Sequence, residues 1–291
     1  MFGFLNIYKP EGMTSFDVVA ALRKITHIKQ IGHTGTLDPF ATGVLPICIG
    51  KSTKLIEYLP DDKQYTATIQ FGADTDTYDK EGQTVKTYDR EITKNELAEI
   101  LKCFEGEIEQ MPPIYSAIKV NGKKLYEYAR KGQNVEIKPR KVTIHKIELL
   151  DFNCKNQTAK ISIECSRGTY IRSIAYDIGQ KLNCGGHLIG LERTKAGMFK
   201  LETAVKLENI NNIEVVEKNL INPIDVLPDG KYELNTLEKD RIIHGIAIKN
   251  RFIQNKNNTG DIVFFVYGGK MYGVGYIDKD TIKVKKVFEE L

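Results

Sequence analysis

Asp38 is the residue around which this chain can do chemistry. It is the one acid in the run GHTGTLDPFATGVLPICIG, residues 32–50, among four glycines, two prolines and three threonines. Pro39 biases the residue before it away from the α region, so Asp38 is expected to be extended on a loop. Gly32, Gly35 and Gly43 permit backbone angles and close approaches that a β-carbon resists. His33 is the other side chain of the run that titrates near neutrality. A lone carboxylate on so tightly shaped a loop is a candidate catalytic group.

Two plainer readings compete. Asp38-Pro39 also suits a helix start, with aspartate as N-cap and proline at the first helical position. Gly43 and Pro46 leave such a helix little room. Gly50-Lys51-Ser52 looks like the close of a phosphate-binding P-loop, which needs four residues between its glycines. Here six residues separate Gly43 from Gly50 and Pro46 interrupts them, so spacing excludes a nucleotide loop.

The run resembles the catalytic motif of the bacterial TruB family, the tRNA pseudouridine-55 synthases. Residues 6–15 (NIYKPEGMTS), 116–132 (SAIKVNGKKLYEYARKG), 165–173 (CSRGTYIRS) and 184–191 (CGGHLIGL) resemble the same family, in its order. The resemblance covers essentially residues 1–228 and, more weakly, the rest. It implies an α+β fold: a synthase core with a mixed, mainly antiparallel sheet and an RNA-gripping insertion, then a small β-rich PUA-type domain.

The same resemblance implies the site. Asp38 is the catalytic carboxylate and Arg172 its partner. Tyr65 stacks on the target base, Tyr170 and Leu191 line the pocket, and Lys9 and Pro10 support it. His33 fills the space left in the T loop when the uridine is flipped out. Lys123, Lys124 and Arg130 belong to the insertion that grips the T arm. No cofactor or metal is implied, because isomerising uridine involves neither redox change nor net hydrolysis. The implied partner is tRNA, met by a cytoplasmic monomer with no obligatory protein partner and no membrane. Two departures stand out. Phe40 replaces the usual leucine, and Glu192 stands where an arginine is expected before Arg193. Neither Glu192 nor Arg193 is therefore assigned an RNA contact. The alternatives are a related synthase acting on another RNA, the guide-directed branch included, or an RNA binder in which Asp38 is only structural.

Composition agrees with a cytoplasmic enzyme. A hydrophobic fraction of 41% over 291 residues can bury a large core. No apolar run approaches the roughly 20 residues of a membrane span. Five cysteines without a C-x-x-C pair favour reduced thiols over a disulfide framework or zinc site. The net charge of +4 says less than its distribution. Residues 119–146 hold nine Lys or Arg against Glu127 and Glu136, a local +7 with Tyr126 and Tyr128 inside it. Such a segment is either a solvated face or a clamp on an RNA backbone.

The elements that must position these residues can be placed along the chain. A strand over 3–8 leads to a helix capped by Thr14 or Ser15, with Phe16, Val19, Ala20 and Ile25 on its apolar face. A short helix near 52–59 closes the Asp38 loop, and a strand follows over 65–71. Residues 74–82 (DTDTYDKEG) lack the glycine of a calcium loop and read as an acidic, solvated hairpin connection. Thr93 to Glu96 is a capping box. Strands are expected over 141–151 and 159–165, then a helix whose first turn holds Arg172. A cation there opposes the helix dipole and calls for an anionic partner. A linker over 206–230 separates two expected domains, 1–228 and 229–291. The second reads as a helix over 236–244 and strands over 261–267, 271–277 and 281–288. With the chemistry all before residue 200, a chain ending near Pro228 is expected to fold alone.

Overall fold

The computed structural model describes residues 1–116, 118–120, 122–129, 132–133, 135–251 and 259–288. Alternation of buried and open side chains builds its main sheet. Along Lys63–Phe71 the buried positions are Tyr65, Ala67, Ile69 and Phe71; along Thr158–Cys165 they are Ala159, Ile161, Ile163 and Cys165. A period of two turns one face of each strand to the core. Among the described residues the sheet has ten strands. From edge to edge it runs Val205–Lys206, Gly3–Lys9, Thr42–Ile49, Gly186–Ala196, Lys63–Phe71, Thr158–Cys165, Arg140–Asn153 and Gly106–Gln110. Ile31–His33 and Phe199–Lys200 pair at its side. The mixed, mainly antiparallel sheet forms as expected, with parallel pairing where Gly3–Lys9 meets Val205–Lys206 and where Thr42–Ile49 meets Gly186–Ala196.

Helices Ser15–Thr26, Lys94–Lys102 and Ile171–Lys181 share the core on this sheet's apolar face. The first two open with capping boxes, Thr14 with Asp17 and Thr93 with Glu96. The buried stripe of the first helix differs from the expected one. Val18, Val19 and Leu22 face inward, while Phe16 is 61% exposed and carries the Arg23 guanidinium 5.6 Å from its ring centre. The stripe that packs inward is Ser15, Val18, Val19, Leu22 and Thr26, which leaves Phe16 and Ala20 on the solvent side.

The C-terminal residues form a second, curled sheet of five strands, as expected of a PUA-type module. Its order is Lys231–Glu233, Ile262–Tyr267, Lys270–Asp278, Thr281–Val287 and Ile248–Lys249, with helix Thr236–Ile243 against it. The two sheets share one apolar cluster. Phe4, Val44, Cys48 and Leu55 pack with Phe264, Met271, Val274 and Phe288, with Val226 and Leu227 among them. Phe264 also meets the Tyr58 ring edge-on at 5.8 Å, and Lys285 and Lys286 lie over that ring at 5.2 and 4.9 Å. This common core joins the two expected domains through apolar side chains from both sheets. Among the described residues no helix is long and apolar enough to cross a membrane.

Candidate active site

Strand Ile31–His33 leads into the Asp38 loop and Thr42–Ile49 leads out of it. The Asp38 carbonyl accepts from the Ala41 amide at 3.1 Å, a single turn with no helix behind it, so the helix-start reading falls. Ser15 holds the residue before. Its hydroxyl accepts from Leu37 N at 2.8 Å and donates to Leu37 O at 3.2 Å. Leu37 and Phe40 are buried beneath, so the leucine-to-phenylalanine departure touches packing only.

Arg172 comes from the first turn of Ile171–Lys181, whose N-cap, Tyr170, makes no side-chain cap. Gln110 instead holds the cap residue itself, accepting from Tyr170 N at 2.7 Å and donating to Tyr170 O at 3.0 Å. The guanidinium then spans two acids. Nε and one terminal nitrogen grip Asp38 at 2.9 and 3.1 Å, a two-pronged pairing that fixes the carboxylate plane. The other terminal nitrogen donates to Asp79 Oδ2 at 3.2 Å, and the Thr77 and Tyr115 carbonyls take the remaining donors.

Asp79 joins the site without having been singled out by the sequence pattern. The 74–82 segment does close a hairpin, Ala73–Thr75 with Thr84–Thr87, and exposes Asp76, Lys80 and Glu81, but two of its acids are not solvated. Asp74 and Asp79 are only 4% and 3% exposed. Asp74 accepts from Gly186 N at 3.0 Å, Tyr88 OH at 2.7 Å and Gln180 Nε2 at 2.9 Å, which anchors the hairpin and delivers Asp79 to Arg172. The cation flagged at a helix N-terminus was the available signal, since it called for anions and has two.

Two carboxylates on one buried guanidinium leave an excess negative charge. Burial pushes the Asp38 carboxyl above its ordinary value, against the pull of Arg172, and Asp79 pushes the same way. Asp79→Asn keeps the shape but removes the charge that holds the far side of Arg172. Misplacing a reacting group by about 1 Å costs about 10²-fold. The variant should therefore lose about 10²-fold in rate at nearly unchanged RNA affinity. Wild-type turnover in Asp79→Asn would reduce Asp79 to a structural acid.

Lys9 supports the loop from below. It is fully buried at the end of Gly3–Lys9, and its ammonium donates to Pro10 O at 2.8 Å, Met13 O at 2.5 Å and Pro39 O at 3.1 Å. Burial lowers its pKa from 10.5 to about 8, although Asp38 opposes the shift. A neutral amine has only two protons for three carbonyls, and the longest bond is the one beside Asp38. The rate should accordingly fall as pH rises through about 8. The stability term runs the other way. Between about 8 and 10.5 the unfolded chain holds a Lys9 proton that the folded chain has lost, so this group's contribution to stability grows with pH. Single-turnover rates and melting temperatures across this range test the pair; a rate that stays flat from pH 7 to 9 would sink the assignment.

The other residues that the resemblance implies lie on the elements flanking the Asp38 loop. Tyr65 lies in the core at 7% exposure on Lys63–Phe71, Leu191 is 8% exposed on Gly186–Ala196, and Tyr170 and Pro10 are half-buried beside them in sequence to Arg172 and Lys9. Burial first and Arg193 second lower the pKa of His33, so its ring is neutral at pH 7. The insertion residues stand apart. Lys123 is exposed in a separate hairpin, Lys119–Val120 with Lys123–Lys124, which also holds Lys124, while Arg130 lies outside the described residues.

Comparison with known proteins places the chain among relatives. Residues 23–171 match the TruB family pseudouridylate synthase (N terminal domain), and residues 172–227 match the tRNA pseudouridylate synthase B C-terminal domain. The chain is 43% identical to tRNA pseudouridine synthase B of Clostridium tetani, over 99% of both chains. It is 42% identical to that of Francisella philomiragia, covering 99% of this chain and 95% of the other. Among solved structures, a Cbf5-Nop10-Gar1 complex aligns with a TM-score of 0.71 and 26% identity, covering 99% of this chain and 84% of that one. An H/ACA RNP bound to a substrate RNA containing 2'-deoxyuridine aligns at 0.72 and 24%, covering 99% and 86%. A match over most of the chain's length, with the Asp38 motif intact, settles the kinship: this chain belongs to the TruB family of tRNA pseudouridine synthases.

Proposed function

We propose that this enzyme isomerises uridine 55 in the T loop of tRNA, with Asp38 as the catalytic carboxylate. The observation that carries the reading is the two-pronged Asp38–Arg172 pair, backed by Asp79, beside the Tyr65 strand. The reaction breaks the N1–C1' bond, turns the base and joins C5 to C1'. N1 gains a proton and C5 loses one, so atoms balance without a cofactor. Asp38 acts at the sugar–base junction, held in plane by Arg172, whose charge opposes the upward push of burial on the carboxyl. The uridine must leave its stack, at a cost of a few kcal/mol. Tyr65 stacks on the extruded base, Tyr170 and Leu191 close the pocket around it, and Lys9 with Pro10 keeps the loop in place. His33, neutral, enters the gap that the base leaves. The basic hairpin with Lys123 and Lys124, and Arg130 after it, holds the T-arm backbone by charge.

The test is incubation of the purified protein with an unmodified tRNA transcript, mapping pseudouridine at single-nucleotide resolution. The expected product carries it at position 55 and nowhere else in the T arm. Activity that appears only with an added guide RNA or protein partner would favour the guide-directed reading.

A further inference from the structure

We infer that Arg193 is a positioning residue that clamps both flanks of the Asp38 loop and so sets the angle at which Asp38 meets Arg172. The inference rests on the proposed role of Asp38. Arg193 is 1% exposed and among the largest fully buried side chains. Its backbone lies where two strands of the site converge, paired with Gly43 on one side and Tyr65 on the other. The register with Lys63–Phe71 slips just after it, between Arg193 and Lys195, and such an irregularity re-aims a side chain.

The guanidinium reaches into the loop. It donates to Gly35 O at 3.1 Å and Thr36 O at 3.4 Å before Asp38, and to Val44 O at 2.7 Å after it. Gly43 presses on the same residue. It sits at φ +99°, and a β-carbon there would lie 2.3 Å from the Arg193 carbonyl oxygen. Ser15 holds Leu37 and Lys9 holds Pro39, so Arg193 supplies the outer grips of a loop fastened along its length. It also lies by Tyr65, where it opposes the upward push of burial on the phenol.

Stability alone is a poor reason for this arginine. A buried ion is costly to desolvate, and well-packed apolar side chains often replace one at no loss. A phosphate contact is excluded by burial, with the donors turned to main-chain carbonyls. What an apolar residue cannot do is bind three carbonyls in fixed directions and so fix a loop on both sides of one carboxylate.

Arg193→Lys keeps the charge but has no planar fork. With enzyme in excess, the single-turnover rate on unmodified tRNA should drop about 10²-fold, while Kd changes by less than about threefold. Amide exchange over residues 35–44 of the free protein should rise. Arg193→Gln, whose short neutral amide cannot reach both flanks of the loop, should show the same split and serves if Arg193→Lys does not fold. A merely structural arginine would lower the folded fraction yet leave the single-turnover rate of the folded protein unchanged, and that result overturns the inference. Weaker binding with a shallower salt dependence at full rate would overturn it too, in favour of an RNA contact. If the wild-type protein fails to modify tRNA, the proposed function fails, and amide exchange still decides whether Arg193 holds the loop.

Discussion

Asp38→Asn should abolish pseudouridine formation, a loss of about 10²–10⁴-fold or more, and leave tRNA binding within about threefold of wild type. The amide has the carboxylate's shape, so folding and RNA contacts survive. The charge does not. One oxygen that accepted from Arg172 becomes an NH2 facing the same donors, and the pairing at 2.9 and 3.1 Å cannot persist on both prongs. Asp79 is then the remaining acid on Arg172 among the described residues. The site loses both its reacting group and the partner that Arg172 orients. Single-turnover mapping with enzyme in excess, beside a filter-binding Kd, separates chemistry from affinity. A variant that binds tRNA and retains rate within tenfold of wild type would refute Asp38 as the catalytic carboxylate.

The first half of the site was legible because its spacing is local. Asp38 next to Pro39, with glycines around it, predicts a shaped loop whatever the rest of the chain does, and the loop is there. Arg172 at a helix start predicts an anionic partner, and the structure supplies two. Asp79 was illegible for the opposite reason. A run of acids and threonines looks solvated unless something covers it, and its cover comes from far along the chain: Gln180, Gly186 and Arg172. Arg193 failed similarly, since an arginine on a strand gives no hint that it turns inward onto Gly35 and Val44. Phe16 shows the limit of periodicity. A 3.6-residue pattern does not fix the phase of a helix, and a one-residue error moved a phenylalanine from core to surface.

A chain ended after Pro228 should melt well below the full protein and tend to aggregate, contrary to what the sequence suggests. Composition places every catalytic residue before the linker and makes the last strands look separable. Packing joins them. The face of Gly3–Lys9 and Thr42–Ile49 that turns away from the helices carries Phe4, Val44 and Cys48, and these meet Phe264, Met271, Val274 and Phe288. Leu55 and Phe199 complete the same cluster. Burying a leucine or phenylalanine stabilises by about 1.5–3 kcal/mol. If Phe4, Leu55 and Phe199 forfeit half of that, roughly 2–4 kcal/mol is lost, against a total stability of about 5–15 kcal/mol. For a chain of this size the melting temperature should fall by roughly 5–15 °C. The clasp of Lys285 and Lys286 on Tyr58 and Glu57 goes as well, but its ion pairs are exposed and contribute little beside the apolar loss. The uncovered patch also favours association between fragments. Thermal melts by circular dichroism with light scattering, on the full chain and on residues 1–228, decide the matter. A monomeric fragment that melts within about 2 °C of the full protein would mean that the shared cluster adds nothing, and that the two sheets are independent after all.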